Sequence, residues 1–250
     1  EANLGLPAPL PSFHLSADLR AGIDVTPTSA YIYFEAEVEA SITIDFFFFS
    51  VTFSVDFTVS GDYAWSWGPP PIVARQEGDT VYLNMGADGS RRGSYYENLP
   101  NENYSITGSG GDIDVSSLGT SMHFSGVNHI VGDGGDGNDS IYVGSGVTAD
   151  AFLNGGTGND RITYLGSGRS HISGGAGTNL ISTGDGPSEI VVNGSSDKVF
   201  AGGGNDAITV LSGNNTIVTG GGDDTTTVMA GTNDISTVNG NDTVVVRGGF

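Results

Sequence analysis

The chain has 250 residues, enough for one large domain or two small ones. Its 29 acidic residues against 8 basic ones give a formal net charge of −21, which argues against nucleic acid or an anionic membrane as partner and leaves metal cations, cationic partners or simple solubility. It has no Cys, which excludes a disulfide scaffold, a Cys-ligated zinc site and a thiol nucleophile.

The first residues, Glu1-Ala2-Asn3-Leu4, show no basic or apolar targeting segment, and no apolar run is long enough for a membrane-spanning helix. From Leu15 to Val25 apolar and polar residues alternate with period two, the pattern of a half-buried strand. Thr26-Pro27-Thr28-Ser29 reads as a turn. The alternation resumes from Phe34 to Phe46 on even positions, and flips to odd positions from Val51 to Val59. A one-residue slip moves every side chain to the other face, so Phe46-Phe47-Phe48-Phe49 must hold a turn, a bulge or a crossing. Three long strands in an antiparallel meander are expected, with one apolar face that packs within the chain or mates with another subunit. Glu35, Glu37 and Glu39 form an acidic row, read as a solvated face. Tyr63, Trp65 and Trp67 continue the alternation to Gly68-Pro69-Pro70-Pro71, and Thr80 to Met85 reads as one more strand. Arg91-Arg92 and Tyr95-Tyr96 read as a polar loop without chemistry.

Glycine then changes the character of the chain. Residues 1–107 hold 8 of the 41 glycines and residues 108–250 hold 33. That density is too costly in backbone entropy for helices and suits repeated tight turns. The expected division is an antiparallel β region with a linker over 1–105 and a turn-rich repeat region over 106–250.

The repeat is nine residues long. Gly134-Gly135-Asp136-Gly137-Asn138-Asp139-Ser140-Ile141 returns as Gly155-Gly156-Thr157-Gly158-Asn159-Asp160-Arg161-Ile162 and again as Ala201-Gly202-Gly203-Gly204-Asn205-Asp206-Ala207-Ile208. Aligned on the sixth position, twelve copies fall at 139, 150, 160, 170, 179, 188, 197, 206, 215, 224, 233 and 242. The eighth position is apolar in eleven of them, with Phe152 among them and Thr226 the exception. One apolar residue per half-coil, always in phase, builds a thin stacked core. Two copies make a coil of turn, strand, turn, strand, and coils stack at about 4.8 Å in a parallel β-roll, a β-solenoid. The fold class expected is therefore all-β, an antiparallel region followed by a parallel β-roll.

The sixth position carries the chemistry. Residues two copies apart share a side of the roll, so Asp206, Asp224 and Asp242 form one ladder and Asp139 stands beside Asp160 in the other. Unit charges about 5 Å apart repel by roughly 0.8 kcal/mol even at the dielectric of water. A hard divalent cation between rungs relieves this, and calcium accepts carboxylate and backbone carbonyl oxygens together. Asp150 and Asp197 lack good glycine patterns and acidic rung neighbours.

This nonapeptide resembles the haemolysin-type calcium-binding repeat of RTX proteins, over about residues 128–248. The resemblance implies a β-roll with calcium held between turns, secretion to a calcium-rich exterior and calcium-driven folding. It carries the metal-site role onto Gly134, Asp136, Asp139, Gly155, Thr157, Asp160, Gly203, Asp206, Gly221, Asp224 and Asp242. The chain departs from the pattern at Ser170, Asn179, Ser188, Asn215 and Asn233, where hydrogen-bonded ladders replace a full calcium site.

His14, His123, His129 and His171 are scattered, and no zinc-protease helix, nucleophile elbow or phosphate loop is present. The expected function is an extracellular calcium-binding structural module of a secreted or surface adhesive or matrix protein, without enzymatic activity. Alternatives are a self-assembling subunit of a fibre or surface layer, forming a homo-oligomer or polymer, and the non-catalytic tail of a secreted enzyme. Neither nucleic-acid binding nor membrane insertion is expected.

Overall fold

The computed structural model describes backbone alone for 12–15, 20–26, 29–35, 40–46, 49–55 and 61–66, and backbone with side chains for 69–93, 96–97 and 99–248. The chain forms two compact units, Glu1–Gly68 and Pro69–Phe250.

The first unit has six described strands: β1 (Ser12–Leu15), β2 (Arg20–Thr26), β3 (Ser29–Glu35), β4 (Ala40–Phe46), β5 (Phe49–Val55) and β6 (Gly61–Ser66). They form two antiparallel three-stranded sheets, β1-β4-β5 and β2-β3-β6. Six short strands in two sheets replace the three long strands of one meander. The alternation is real, but the first two runs, Leu15–Val25 and Phe34–Phe46, are each divided between strands that belong to different sheets, and period two reads the same on both sides of such a division. Phe46 pairs with Phe49 across β4 and β5, so the reversal falls at the Phe run, as the phase flip requires. The side chains of Glu35, Glu37 and Glu39 and the apolar face lie outside the described residues.

The second unit is a β-solenoid of about seven turns. It opens with β7 (Ala74–Glu77), β8 (Thr80–Leu83), a 3-10 turn at Gly86–Arg92, β9 (Asn103–Ser109), β10 (Asp112–Ser117) and β11 (Thr120–Phe124). Among the described residues thirteen strands follow, β12 (His129–Asp133) to β24 (Thr243–Val246). Even-numbered strands from β12 extend the sheet of β7 and β8, and odd-numbered strands extend that of β9 to β11. Each sheet has nine strands, parallel within the roll and antiparallel only in the β7–β8 and β9–β10–β11 segments at the N-terminal end. The unit boundary lies at Gly68/Pro69 rather than near 105. Val81 pairs with Ile130 in parallel, so a segment of ordinary glycine content is already part of the roll, and glycine density dates the regular repeats rather than the start of the solenoid.

The core is wider than the one inward residue per half-coil that the eighth position predicts: most strands bury two, as Ile141 with Val143, Ile162 with Tyr164 and Ile208 with Val210. Ile141, Ile162, Ile181, Val199 and Ile217 line one sheet and Ile172, Ile190 and Ile208 the other, all at most 2% exposed. Phe152 is the exception: it is 42% exposed, while Ala151 and Leu153 are buried. Leu153, not Phe152, pairs with Ile172. The step from 139 to 150 is eleven residues, and the added residues displace the copy by one, which turns Phe152 outward. There it stacks on His171, ring centroids 4.8 Å apart and 3° from parallel. His171 Nδ1 lies 3.1 Å from Glu189 on the next strand.

Glycine is required where coils turn and touch. Gly137 and Gly158 have φ of 128° and 127°, and a Cβ on Gly158 would run into the Gly137 carbonyl of the neighbouring coil. The register gives a direct check. Leu153→Ala is expected to cost about 2–5 kcal/mol and Phe152→Ala less than about 1 kcal/mol in chemical denaturation at fixed calcium. The opposite ranking would restore Phe152 to the core.

Candidate functional site

The sixth-position side chains form a continuous ladder inside the turns of one sheet and a shorter one, from Ser188 to Asp242, in the other. Along one sheet the rungs are Glu102, Asp139, Asp160, Asn179, Asp197, Asn215 and Asn233. Each rung's carboxylate or amide oxygen accepts the backbone N–H of the rung before it. Asp139 Oδ1 takes the Glu102 N–H at 2.7 Å, Asp160 that of Asp139 at 2.8 Å, Asn179 that of Asp160 at 2.9 Å, Asp197 that of Asn179 at 2.8 Å, Asn215 that of Asp197 at 2.7 Å and Asn233 that of Asn215 at 3.0 Å. Along the other sheet the register runs Val81, Ile130, Ala151, Ser170 and Ser188. The Ser188 N–H then donates to Asp206 at 2.8 Å, that of Asp206 to Asp224 at 2.9 Å and that of Asp224 to Asp242 at 3.0 Å.

One oxygen per Asp is thus committed to the fold, and the other tells the rungs apart. Asp139, Asp160, Asp206 and Asp224 are at most 2% exposed, and Oδ2 of each is buried without a hydrogen-bond partner. Asp197 is different, because its Oδ2 accepts the Gly194 N–H at 3.0 Å. A buried carboxylate with an idle oxygen is costly as an anion. Burial accordingly pushes Asp139 up to about 8, with Glu102 and Asp160 adding to it and the Glu102 N–H and Arg92 opposing it. Burial pushes Asp160 up to about 6 and Asp206 up to about 7, in the latter case with a contribution from Asp224. Asp197 is raised by burial against its hydrogen bonds from Asn179 and Gly194.

The idle oxygens of Asp139 and Asp160 lie close against glycine backbone. A Cβ placed on Gly155 would stand 2.5 Å from Asp160 Oδ2 and 2.5 Å from the Gly174 carbonyl oxygen. A Cβ on Gly134 would stand 2.6 Å from Asp139 Oδ2 and would also meet the Gly155 carbonyl. No side chain fits at either place, and glycine there lets the Asp oxygen and the carbonyl of the next turn approach each other. Each offers one carboxylate oxygen and a backbone carbonyl. Among the described residues no three carboxylate or histidine side chains converge on a metal-sized centre. Oxygen donors of this kind suit a hard cation and give a transition metal little to bind.

Of the expected site residues, Gly134, Asp139, Gly155 and Asp160 come together. Asp136 and Thr157 do not join them: they meet each other across adjacent turns, Thr157 Oγ1 donating to Asp136 Oδ1 at 2.7 Å. Gly203 and Gly221 pair in a bridge between turns, and the C-terminal ladder of Asp206, Asp224 and Asp242 forms as the repeat spacing requires. It differs at the first position, where Ala201, Thr219 and Thr237 stand in place of Gly134 and Gly155. Asp150 is outside the ladder: it accepts the Arg169 N–H at 2.8 Å and faces outward in register with His129.

Sequence reasoning missed two features. Fifth-position residues form an outer ladder, with Asn101 accepting from Asn138, Asn138 from Asn159 and Asn159 from Thr178, and again Asn205 from Asp223 and Asp223 from Asn241. The recurrence of Asn at 138, 159, 205, 214 and 241 was its visible signal. The other is the first rung, Glu102, with its buried partner Arg92, which the sequence assigns to a polar loop. Neither belongs to a repeat copy, so no periodicity marks them.

The chain matches no known protein family, no curated protein and no solved structure. What the fold itself defines is a β-solenoid protein with internal carboxylate ladders.

The raised Asp values set a pH dependence for the metal-free protein. Folded-state values above the usual range near 4 mean that the folded form holds more protons, so stability is full at low pH and is lost as pH rises through about 6 to 8. In chelator, the thermal midpoint should fall by roughly 5–10 °C between pH 5 and pH 9. Asp139→Asn keeps an oxygen for the Glu102 N–H and should flatten that slope; an unchanged slope would remove Asp139 as its source.

Proposed function

We propose that the chain is a calcium-binding structural module of a secreted or cell-surface protein, in which cations seated between turns neutralise the inner carboxylates and lock the solenoid. The observation that carries this reading is the buried Oδ2 atoms of Asp139 and Asp160, idle in the hydrogen-bond network and packed against glycine backbone beside a carbonyl of the next turn. Gly134, Asp139 and Gly155 would hold one cation, and Gly155, Asp160 and Gly174 a second. Binding there would replace a proton on each Asp, so affinity would rise with pH. The nonapeptide resemblance supports the same ion, and the acidic surface suits an exterior rich in divalent cations. Asp206 and Asp224 are weaker candidates, since Ala201 and Thr219 stand at the first position, where the copies of Asp139 and Asp160 have Gly134 and Gly155.

Isothermal calcium titration of metal-stripped protein, with far-UV circular dichroism on the same samples, tests the reading. Calcium should bind and increase the β-signal. Asp139→Asn and Asp160→Asn should each lower affinity for the N-terminal sites at least about tenfold, as expected when a charged ligand is lost. Ala201→Gly should strengthen binding at the Asp206 rung by restoring the glycine that the Asp139 and Asp160 copies carry at this position. Full β-signal in chelator, with no heat of calcium binding, would reduce the ladders to hydrogen-bonding devices and sink the metal reading.

A further inference from the structure

Glu102 is the first rung of a ladder whose next two carboxylates, Asp139 and Asp160, have idle oxygens, yet its own are both used. Oε2 accepts the Gly86 N–H at 2.6 Å, and Oε1 accepts Nη1 of Arg92. The Arg92 and Glu102 side chains are 1% and 2% exposed. The remaining guanidinium N–H groups reach backbone oxygens: Nε donates to Gly89 O at 3.1 Å and Nη2 to Glu97 O at 3.3 Å. Gly89 is needed for this, because a Cβ there would strike Nη2. The Glu102 N–H meanwhile feeds Asp139, so the ion pair and the ladder are one network.

A buried ion pair is a poor choice if stability is all that is required, since well-packed apolar residues often serve as well. This one stands at the end of a series of buried carboxylates, and its charge compensates the first of them. The same end is closed by antiparallel segments with close sequence partners, β7 with β8 and β9–β10–β11. Across the roll from Asp139 and Asp160, the register positions are the apolar Ile130 and Ala151. The C-terminal half has no such arrangement: the described residues there carry Asp206 and Asp224 with idle oxygens and no buried cationic side chain.

We propose that Arg92 is the roll's built-in cation: its guanidinium does at the first rung what a divalent ion does at the rungs below, so the N-terminal coils hold without metal and are the end from which metal-dependent coils add. The role of metal in the later coils rests on the calcium reading above; the role of Arg92 does not.

Hydrogen exchange resolved by mass spectrometry on the full chain, in chelator and in calcium, tests it. In chelator, slow exchange is expected across 80–83, 103–117 and 129–133, and fast exchange across 207–246; calcium should extend protection to the latter. Arg92→Met in chelator should lower protection of the N-terminal segments by roughly a hundredfold, because it leaves Glu102 buried and uncompensated. Arg92→Met with Glu102→Gln removes both charges and should recover most of that loss, a recovery that a merely space-filling Arg92 would not give. The proposal is overturned if Arg92→Met leaves 80–133 as protected as the parent, if the double variant is no better than the single one, or if 80–133 in chelator is no better protected than 207–246. If calcium changes exchange nowhere while Arg92→Met still exposes 80–133, the calcium reading falls together with the metal-dependent addition of later coils, and the Arg92–Glu102 cap stands.

Discussion

The roll depends on one repeated hydrogen bond, from the backbone N–H of a sixth-position residue to the side-chain oxygen of the residue one coil further on. It occurs nine times in the two ladders. Turns take these N–H groups out of the strand pairing, and a buried N–H without an acceptor costs about 1–3 kcal/mol. An Asp or Asn directed inward is short enough to reach that donor and rigid enough to fix the spacing of coils. Every other feature of the turn follows. The chain must bend sharply around the side chain, so glycine with positive φ flanks it, and coils must approach closely, so glycine is needed where one carbonyl faces the next turn. An isoleucine two residues on then drops into the thin core.

The same bond creates a charge problem that the two ladders share out between them. Carboxylates cluster at the N-terminal end of one ladder, at 102, 139 and 160, and at the C-terminal end of the other, at 206, 224 and 242. Opposite the first group stand Ile130 and Ala151, and opposite the second stand Asn215 and Asn233. In the middle of the roll Asn179, Ser170 and Ser188 carry no charge. Asp197 is the exception that shows the rule, because it satisfies both oxygens with backbone N–H groups. Acidic rungs on both sides of one coil would repel across a core only two side chains thick. The offset keeps the repulsion within a ladder, where a cation between rungs, or Arg92 at its end, can meet it.

How much of this the sequence discloses depends on how constant the spacing is. From 170 to 242 every step is nine residues, half a coil, so ladder membership, the inward isoleucines and the pairing of Asp206 with Asp224 and Asp242 can be read directly. Before 170 the steps are ten and eleven, and a displaced residue is enough to exchange Phe152 for Leu153 and to take Asp150 out of the ladder. The close approach at Gly134 and Gly155 was legible as glycine at the first position, but its meaning requires knowing that in these two copies the position lies against the idle oxygen. The first rung was not legible. Arg92 and Glu102 lie ten residues apart in an irregular segment, and only the fold places that pair at the head of a periodic series.

A solenoid this rich in glycine has little else to hold it. Its core is only two inward residues on most half-coils, and each glycine gives up more conformational freedom on folding than any other residue would. Nearest-neighbour contacts between coils are then the main source of stability, and in such a linear array the coupling between adjacent coils decides whether the whole stands or frays. Carboxylates placed inside that coupling make it conditional. Protonated, they are acceptors that still satisfy the ladder; ionised and bare, they oppose it with the same hydrogen bonds in place. A cation seated as proposed would remove that opposition and join one coil to the next through both oxygens, so that the solvent outside would set how firmly the coils adhere, while the Arg92–Glu102 pair would keep one end independent of it.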